Sequence, residues 1–181
     1  MVDHRRKQGK KLAPIHDVVP PTSIVAITKF DGDFAFLSNF YPAEIGYGIV
    51  FPSVEHFFQA MKTVDHMERA TIAIAETAGI AKKLGRQVKL RPDWEAIKNN
   101  VMMLGLRKKF SHDVLGQMLT ATRPCPLVEG NWWHDNYWGD CKCPQCSSIA
   151  GTNMLGKLLM SIREDLLAGR PAYIEGNDPQ F

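Results

Sequence analysis

The chain of 181 residues contains no apolar run that approaches the roughly 20 residues needed to cross a bilayer. Its basic N-terminus, Met1–Lys11, is not followed by the apolar stretch of a secretory signal. No segment repeats along the chain, which argues against a solenoid. These absences predict a cytoplasmic protein with no membrane partner.

Most of the chain also has no excess of positive or negative charge. The formal net charge is +3, but residues 1–12 hold five of the 22 Lys and Arg and one of the 19 Asp and Glu, so the remainder carries −1. A short basic arm can contact phosphates without reading a base sequence, although such arms are more often only solvated. Because prolines follow in residues 13–23, we expect a flexible tail at 1–23. One domain is expected at 24–170, followed by a C-terminal tail at 171–181.

Cysteine is scarce, and three of the four cysteines lie within Cys141–Cys146. Their Cys-x-Cys-x-x-Cys spacing resembles half of a zinc site, with His134 or Cys125 as a conceivable fourth ligand. Two complete ligand pairs are absent, and disulfides are not expected in a reducing compartment. The sequence therefore predicts thiols in a surface loop, no metal and no cofactor. Cys141, Cys143 and Cys146 are only weak zinc candidates.

Short strand signals come first along the chain, and helical signals follow. Ile24–Ile27 and Phe34–Leu37 are predicted to form a hairpin around an Asp-Gly turn, with a third strand at Gly48–Phe51. Helical patterns then predict helices at 65–75, 77–84, 93–110, 114–119 and 155–166, and the first three are expected to be capped by Asp65, Thr77 and Asp93. This order predicts a single helix-rich α+β domain with a small antiparallel sheet near the N-terminus.

One further helix is predicted over Ser53–Lys62, with Ser53 as its N-cap. Apolar residues fall on one face of this helix, while Glu55, Gln59 and Lys62, at i, i+4 and i+7, form a neighbouring polar stripe. A carboxylate, an amide and an amine are thus expected to project together beside the core. The alternative interpretation is a solvent-exposed Glu–Lys pair on an amphipathic helix.

Two other segments suit a ligand site. Asn131–Gly139 contains four aromatic residues and Asp135 without an apolar period, which is typical of a pocket wall that stacks a base. Gly151–Gly156 opens the last helix and could present free N–H groups to a phosphate. Alternatively, the aromatic cluster closes the core, and the glycine-rich segment is only a turn and a helix cap.

The chain resembles the NADAR (YbiA-like) family in six ordered blocks between about residues 29 and 166. These are Phe36–Pro42; Ser53–His56 with Gln59, Ala60 and Lys62; Trp94 with Met102 and Leu106 to Phe110; Leu127–Glu129; Asp135 with Trp138 and Gly139; and Gly151–Met160. The cysteine-bearing loop is longer and richer in cysteine than the glycine-rich stretch expected in that family.

The resemblance implies a YbiA-like fold and an N-glycosidase that cleaves the bond between ribose C1 and an exocyclic amine of a heteroaromatic base. The implied substrates are ADP-ribosylated guanine, in a nucleotide or a nucleic acid, and phosphoribosylamino-pyrimidine intermediates of riboflavin synthesis. It also implies a functional pairing with an ADP-ribosylating toxin. A non-catalytic ADP-ribose or nucleotide-binding module is the alternative, and a zinc-dependent nucleic-acid adaptor is a more distant one.

The resemblance also assigns roles to individual residues. Glu55 and Lys62 would be catalytic, because a desolvated amine beside a carboxylate suits attack on a sugar carbon. Asp135 would hold ribose hydroxyls, and Phe36 or Trp138 would stack on the base. The complete set of expected substrate-binding residues is Phe36, Ser38, Asn39, Phe40, Gln59, Trp94, Asp135, Trp138, Gly139, Asn153 and Gly156.

Overall fold

Helices dominate the computed structural model, which describes residues 26–176 and 178–181. Within these residues the helices are α1 (Val54–Ala60), α2 (His66–Ala73), α3 (Ala78–Leu84), α4 (Trp94–Phe110), α5 (Asp113–Ala121) and α6 (Met154–Leu167). Every residue of α1 is buried. It packs against α2, α3 and α4, and α4 in turn packs against α5 and α6. This short helix is therefore the centre of the domain.

Polar caps explain where the first three helices begin. The Ser53 hydroxyl accepts the His56 N–H, Asp65 accepts from the first turn of α2, and Thr77 accepts the Ile80 N–H. These starts confirm the sequence prediction. The predicted cap at Asp93 is wrong, although α4 does begin there, because its carboxylate pairs with Arg91 at 2.6 Å and makes no cap hydrogen bond.

Two small sheets flank the helices. Strands β1 (Ile45–Tyr47) and β2 (Ile49–Phe51) pair antiparallel around Gly48, which adopts φ +70°. This confirms the small antiparallel sheet and the predicted third strand, although its partner β1 was not predicted. Strands β3 (Gly130–Asn131) and β4 (Asp140–Cys141) pair in parallel, and Ile27 forms a separate parallel bridge with Leu127.

The predicted N-terminal hairpin is wrong. Gly32–Leu37 forms a short 3-10 helix, and Ile27 pairs with Leu127 instead of with this segment. Phe36 and Leu37 are both buried. Adjacent residues of a strand point to opposite faces, whereas a helical turn can direct both into one core. Residues 24 and 25 of the predicted strand, like the N-terminal tail at 1–23, lie outside the described residues.

The C-terminal segment packs against the domain, although the sequence predicted a tail. The Ala172 carbonyl accepts a hydrogen bond from Arg107, and Asp178 pairs with Lys108 at 3.0 Å. The Tyr47 hydroxyl donates to the Pro179 carbonyl at 2.8 Å. These contacts attach the segment to α4 and β1. Across the described ranges, no helix combines the length and the apolarity that a membrane crossing requires.

Gly105 allows α4 to approach α1 closely. A Cβ atom at this position would lie 3.0 Å from Phe57 Cδ1 and 3.2 Å from Val54 Cγ1. Both neighbours are fully buried in α1, so neither can move aside without disturbing the core.

We therefore expect Gly105→Ala to lower the free energy of unfolding by about 1–3 kcal/mol, the usual cost of an overpacked core. Its gain in helix propensity, at most about 1 kcal/mol, offsets only part of this cost. Gly79→Ala on the exposed face of α3 is the matched control, because a Cβ there makes only an ordinary contact at 3.8 Å. Urea denaturation should show the control unchanged or more stable; equal stability of the two variants would contradict the close-packing argument.

Candidate active site

A cavity of about 880 Å³ opens between α1 and the segment that carries β3 and β4. One side, the helix wall, consists of α1 with the following Lys62 and the loop Ser38–Phe40. The other side, the loop wall, consists of residues 128–142. Lys82 of α3, Met102 of α4, Leu155 of α6 and residues 28–31 complete the lining. The volume is in the range of sites that bind molecules of nucleotide size.

Two hydrogen bonds fix the loop of the helix wall. The Asn39 carbonyl accepts the Glu55 N–H at 3.0 Å, and the Ser38 carbonyl accepts from Lys109 Nζ at 2.7 Å. Lys109 is fully buried, and burial lowers its pKa to about 7. The Asn39 side chain donates to the sulfur of Met102, but its Oδ1 is buried and has no partner within the described chain. This oxygen is therefore an acceptor available to a ligand.

Glu55 is the buried carboxylate of the helix wall, with 5% of its surface exposed. Gln59 Nε2 donates to Glu55 Oε1 at 2.8 Å. Burial raises the pKa of Glu55, while this hydrogen bond and the positive charges of Lys82 and Lys62 oppose the rise. A carboxyl group with a raised pKa can retain a proton and deliver it, as a general acid must.

Lys62 lies just beyond α1, because the helix ends at Ala60 and Met61 is its C-cap. The predicted helix is thus two residues too long, yet all three members of the polar stripe line the cavity. Burial lowers the pKa of Lys62, Glu55 opposes this effect, and Lys82 and Arg86 reinforce it. Its Nζ lies 5.8 Å from the centre of the Phe58 ring. The unprotonated amine is consequently more populated in Lys62 than in an exposed lysine.

Glu129 is a second titratable carboxylate in the cavity, and the sequence analysis assigned it no role. Burial, followed by the charge of Asp135, raises its pKa to about 7. Its Oε2 is buried without a partner in the described part of the chain. The Leu127–Glu129 block includes this carboxylate, but the sequence could not show that it lines the same cavity as Glu55.

Asn153 positions Glu129 without reaching the cavity. Its side chain donates to the Leu127 carbonyl at 2.9 Å and accepts the Glu129 N–H at 3.0 Å. It starts α6 with a left-handed backbone at φ 51°. Asn153 therefore acts on the site by holding the segment that carries Glu129, and it does not line the cavity as predicted.

Asp135 and Trp138 line the cavity as the sequence predicted. Asp135 Oδ1 accepts the N–H groups of Tyr137 and Trp138 at 3.3 and 2.9 Å, so this carboxylate also shapes its own turn. Trp138 meets Phe58 edge to face at 5.3 Å. Trp132 and Trp133 also line the cavity and are 70% and 64% exposed. Aromatic surfaces suited to a planar base thus occupy the loop wall.

Four other predicted binding residues lie behind the cavity instead of lining it. Phe36 is buried in the core, and Trp94 packs edge-on against Phe58 at 5.0 Å. Gly139 and Gly156 are close-packing positions, where a Cβ would collide with the backbone carbonyls of Glu129 and Leu127 respectively. The remaining predicted residues, Ser38, Asn39, Phe40 and Gln59, line the cavity.

The predicted phosphate site at the start of α6 is wrong. The backbone N–H groups of residues 152–155 donate to carbonyls of residues 136–139 at 2.8–3.0 Å, and the Gly151 N–H donates to Asp140. None of these five N–H groups is left for a ligand. Positive charge enters the cavity from Lys29, Lys82 and Lys142 instead. These lysines are better placed to attract an anionic substituent.

The cysteines are not the surface thiols that the sequence predicted. Cys141 and Cys146 are buried, and Cys143 is half-buried. His134 lies beside them, with Nδ1 at 3.1 Å from Cys146 Sγ. Tertiary folding therefore places the thiols at the back of the loop wall.

Comparisons with known proteins agree on one family. The NADAR domain family profile matches residues 28–167. N-glycosidase YbiA of Escherichia coli is 37% identical over 149 residues, which cover 80% of this chain and 89% of that protein. A riboflavin biosynthesis protein of Vibrio vulnificus is 36% identical over 145 residues, covering 78% of this chain but only 38% of that protein.

A solved structure agrees with these matches. The NMR structure of E. coli YbiA superposes with a TM-score of 0.68 at 33% identity, covering 86% of this chain and 93% of that chain. The shared fold also confirms the predicted single helix-rich α+β domain. The chain therefore belongs to the NADAR domain family.

Proposed function

We propose that the cavity hydrolyses the bond between ribose C1 and an exocyclic amine of a heteroaromatic base. The observation that carries this proposal is the buried Glu55, held by Gln59, next to the desolvated Lys62. The name N-glycosidase borne by the E. coli relative supports the same class of enzyme. A module that only bound a nucleotide would gain nothing from burying a carboxylate and an amine, since burial of each is costly.

The chemistry of the bond suits an amine catalyst. A ribose joined to an exocyclic amine is a glycosylamine, and its ring can open to an imine at C1. Burial raises the pKa of Glu55 and so favours its acid form, which would give a proton to the ring oxygen as the C1–oxygen bond breaks. The lone pair of the exocyclic nitrogen then forms the C1–nitrogen double bond.

Lys62 would complete the exchange. Its unprotonated Nζ adds to C1, a proton moves from Nζ to the base nitrogen, and the base leaves as a neutral amine. The sugar remains attached to Lys62 as an imine. One water molecule then adds to C1 and displaces Lys62, the excess proton returns to the Glu55 carboxylate, and Lys62 is left as the free amine. The released sugar closes its ring. The net reaction consumes one water and needs no oxidant or cofactor.

Binding groups surround this centre on both walls. Trp138 would stack on the base, and the unpaired oxygens of Asn39 and Glu129 would accept sugar hydroxyls. Lys29, Lys82 and Lys142 would attract phosphate. Both ADP-ribosylated guanine and a phosphoribosylamino-pyrimidine carry these groups. The Vibrio vulnificus relative bears a name linked to riboflavin synthesis, which supports the second substrate class.

The exposed rim of the loop wall favours guanine that is modified within a nucleotide chain. Trp132 and Trp133 are largely exposed beside Lys142. Flat aromatic surfaces with nearby cations are the usual features that hold single-stranded nucleic acid. On this view, an ADP-ribosylating enzyme, such as a toxin, supplies the substrate.

The first test measures release of free ADP-ribose from ADP-ribosylated guanosine by mass spectrometry, with a phosphoribosylamino-pyrimidine tested in parallel. Glu55→Gln should lower turnover on the active substrate by a factor of about 10² to 10⁴, because it removes the transferable proton. Glu95→Gln, on the exposed face of α4, is the matched control and should leave turnover unchanged. Absence of turnover on both substrates by the wild type would reject the proposed function.

The second test traps the imine. Borohydride added during turnover should reduce the carbon–nitrogen double bond and leave the sugar attached to Lys62, where peptide mass spectrometry locates it. Lys62→Ala should form no adduct and lose turnover. If instead Lys62 acts only as a charge, no adduct will form and Lys62→Arg will retain much of the activity. That result would reject the imine while leaving the glycosidase intact.

The third test concerns Glu129. Its pKa is raised to about 7, so the carboxylate is protonated below this pH and ionised above it. The ionised form is the better acceptor for sugar hydroxyls, so wild-type KM should fall as pH rises through 7. Glu129→Gln should raise KM about tenfold above pH 7, which corresponds to about 1.4 kcal/mol, and should flatten its pH dependence. A fall in kcat at unchanged KM would instead assign Glu129 to proton transfer.

A further inference from the structure

Three potential metal ligands meet on the outer side of the loop wall, and a further cysteine lies beside them. Cys146 Sγ and Cys143 Sγ lie 3.1 and 3.7 Å from His134 Nδ1. The three ligand atoms all lie within 4.8 Å of one another. Cys141 Sγ accepts the Cys143 N–H at 3.4 Å, and its thiol also interacts with that of Cys146. One imidazole and two thiols therefore surround a common centre, and the Cys141 thiol lies beside them, where it can supply a fourth ligand.

The spacing fits a tetrahedral zinc ion. With bonds of about 2.3 Å to sulfur and 2.0 Å to nitrogen, tetrahedral angles place neighbouring ligand atoms about 3.5–3.8 Å apart. The two measured sulfur–nitrogen separations, 3.1 and 3.7 Å, lie close to this range. The N–H group directed at Cys141 Sγ is the kind of outer hydrogen bond that stabilises a metal-bound thiolate.

The backbone is arranged so that these side chains converge. Cys141 belongs to β4, and the Cys143 carbonyl accepts the N–H groups of Cys146 and Ser147 at 2.9 Å, which turns Cys146 back toward Cys143. His134 adopts a left-handed conformation at φ 67°. This conformation is unfavourable for a residue with a side chain, and here it aims the imidazole at the thiols. A bond to a metal is an interaction able to offset that cost.

We propose that His134, Cys141, Cys143 and Cys146 bind one zinc ion in a structural site. Four protein ligands fill the tetrahedron and leave no position for a reacting water, unlike in a catalytic zinc site. The ion would join β4 to the turn before it. Trp132, Trp133 and Asp135, which line the cavity, belong to that turn. The zinc therefore fixes the loop wall while taking no part in the cleavage of the substrate.

Metal analysis of the reduced protein, reloaded with zinc without oxygen and then desalted, should find about one zinc per chain. Cys143→Ser and His134→Gln should each reduce this content at least fivefold. Cys125→Ser is the matched control, because Cys125 lies outside the cluster, and it should keep the wild-type content. Replacement of zinc by cobalt should give the thiolate charge-transfer and strong visible bands of a tetrahedral sulfur-rich site.

A second measurement uses the wild-type chain, so its result does not depend on whether the variants fold. A chelator that removes the ion should speed amide hydrogen exchange in residues 131–149 at least tenfold and leave exchange in α1 unchanged. Absence of zinc from the reduced and reloaded wild type would overturn the proposal. So would zinc that Cys143→Ser and His134→Gln retain in full, or cobalt bands that indicate octahedral oxygen ligands.

Discussion

Burial of Glu55 in the central helix is the constraint on which the rest of the structure depends. A carboxylate that loses its water must be compensated, and Gln59 one turn later donates to it. The backbone N–H of Glu55 in turn holds Asn39, so the same residue fixes the loop that completes the helix wall. Around α1 the other helices exclude water, which raises the pKa of Glu55 and lowers that of Lys62. Fold and reactivity therefore have one physical cause.

Local signals in the sequence were sufficient for much of this arrangement. Ser53, Asp65 and Thr77 fixed three helix starts because a cap depends only on neighbouring backbone groups. Helical periodicity likewise placed Glu55 beside Lys62, because a separation of seven residues brings side chains to one face. These features needed no knowledge of distant parts of the chain.

Features that depend on partners distant in sequence could not be predicted in this way. The amides at the start of α6 were expected to be free, but their acceptors are carbonyls of residues 136–139, which no local pattern identifies. The 3-10 helix Gly32–Leu37 was mistaken for a strand because its burial depends on core packing. Glu129 is a site residue that the sequence did not predict, for the same reason. Its unusual pKa arises from a cavity formed by segments more than 60 residues apart.

The two walls of the cavity differ in how freely evolution can alter them. The helix wall consists of residues on which the core also depends, so most substitutions there would unfold the protein before they changed its chemistry. The loop wall rests on turns and on a few side-chain hydrogen bonds, and its rim residues Trp132 and Trp133 pack against little else. Evolution can therefore retain the residues of the helix wall while substitutions in the loop wall change which base is released.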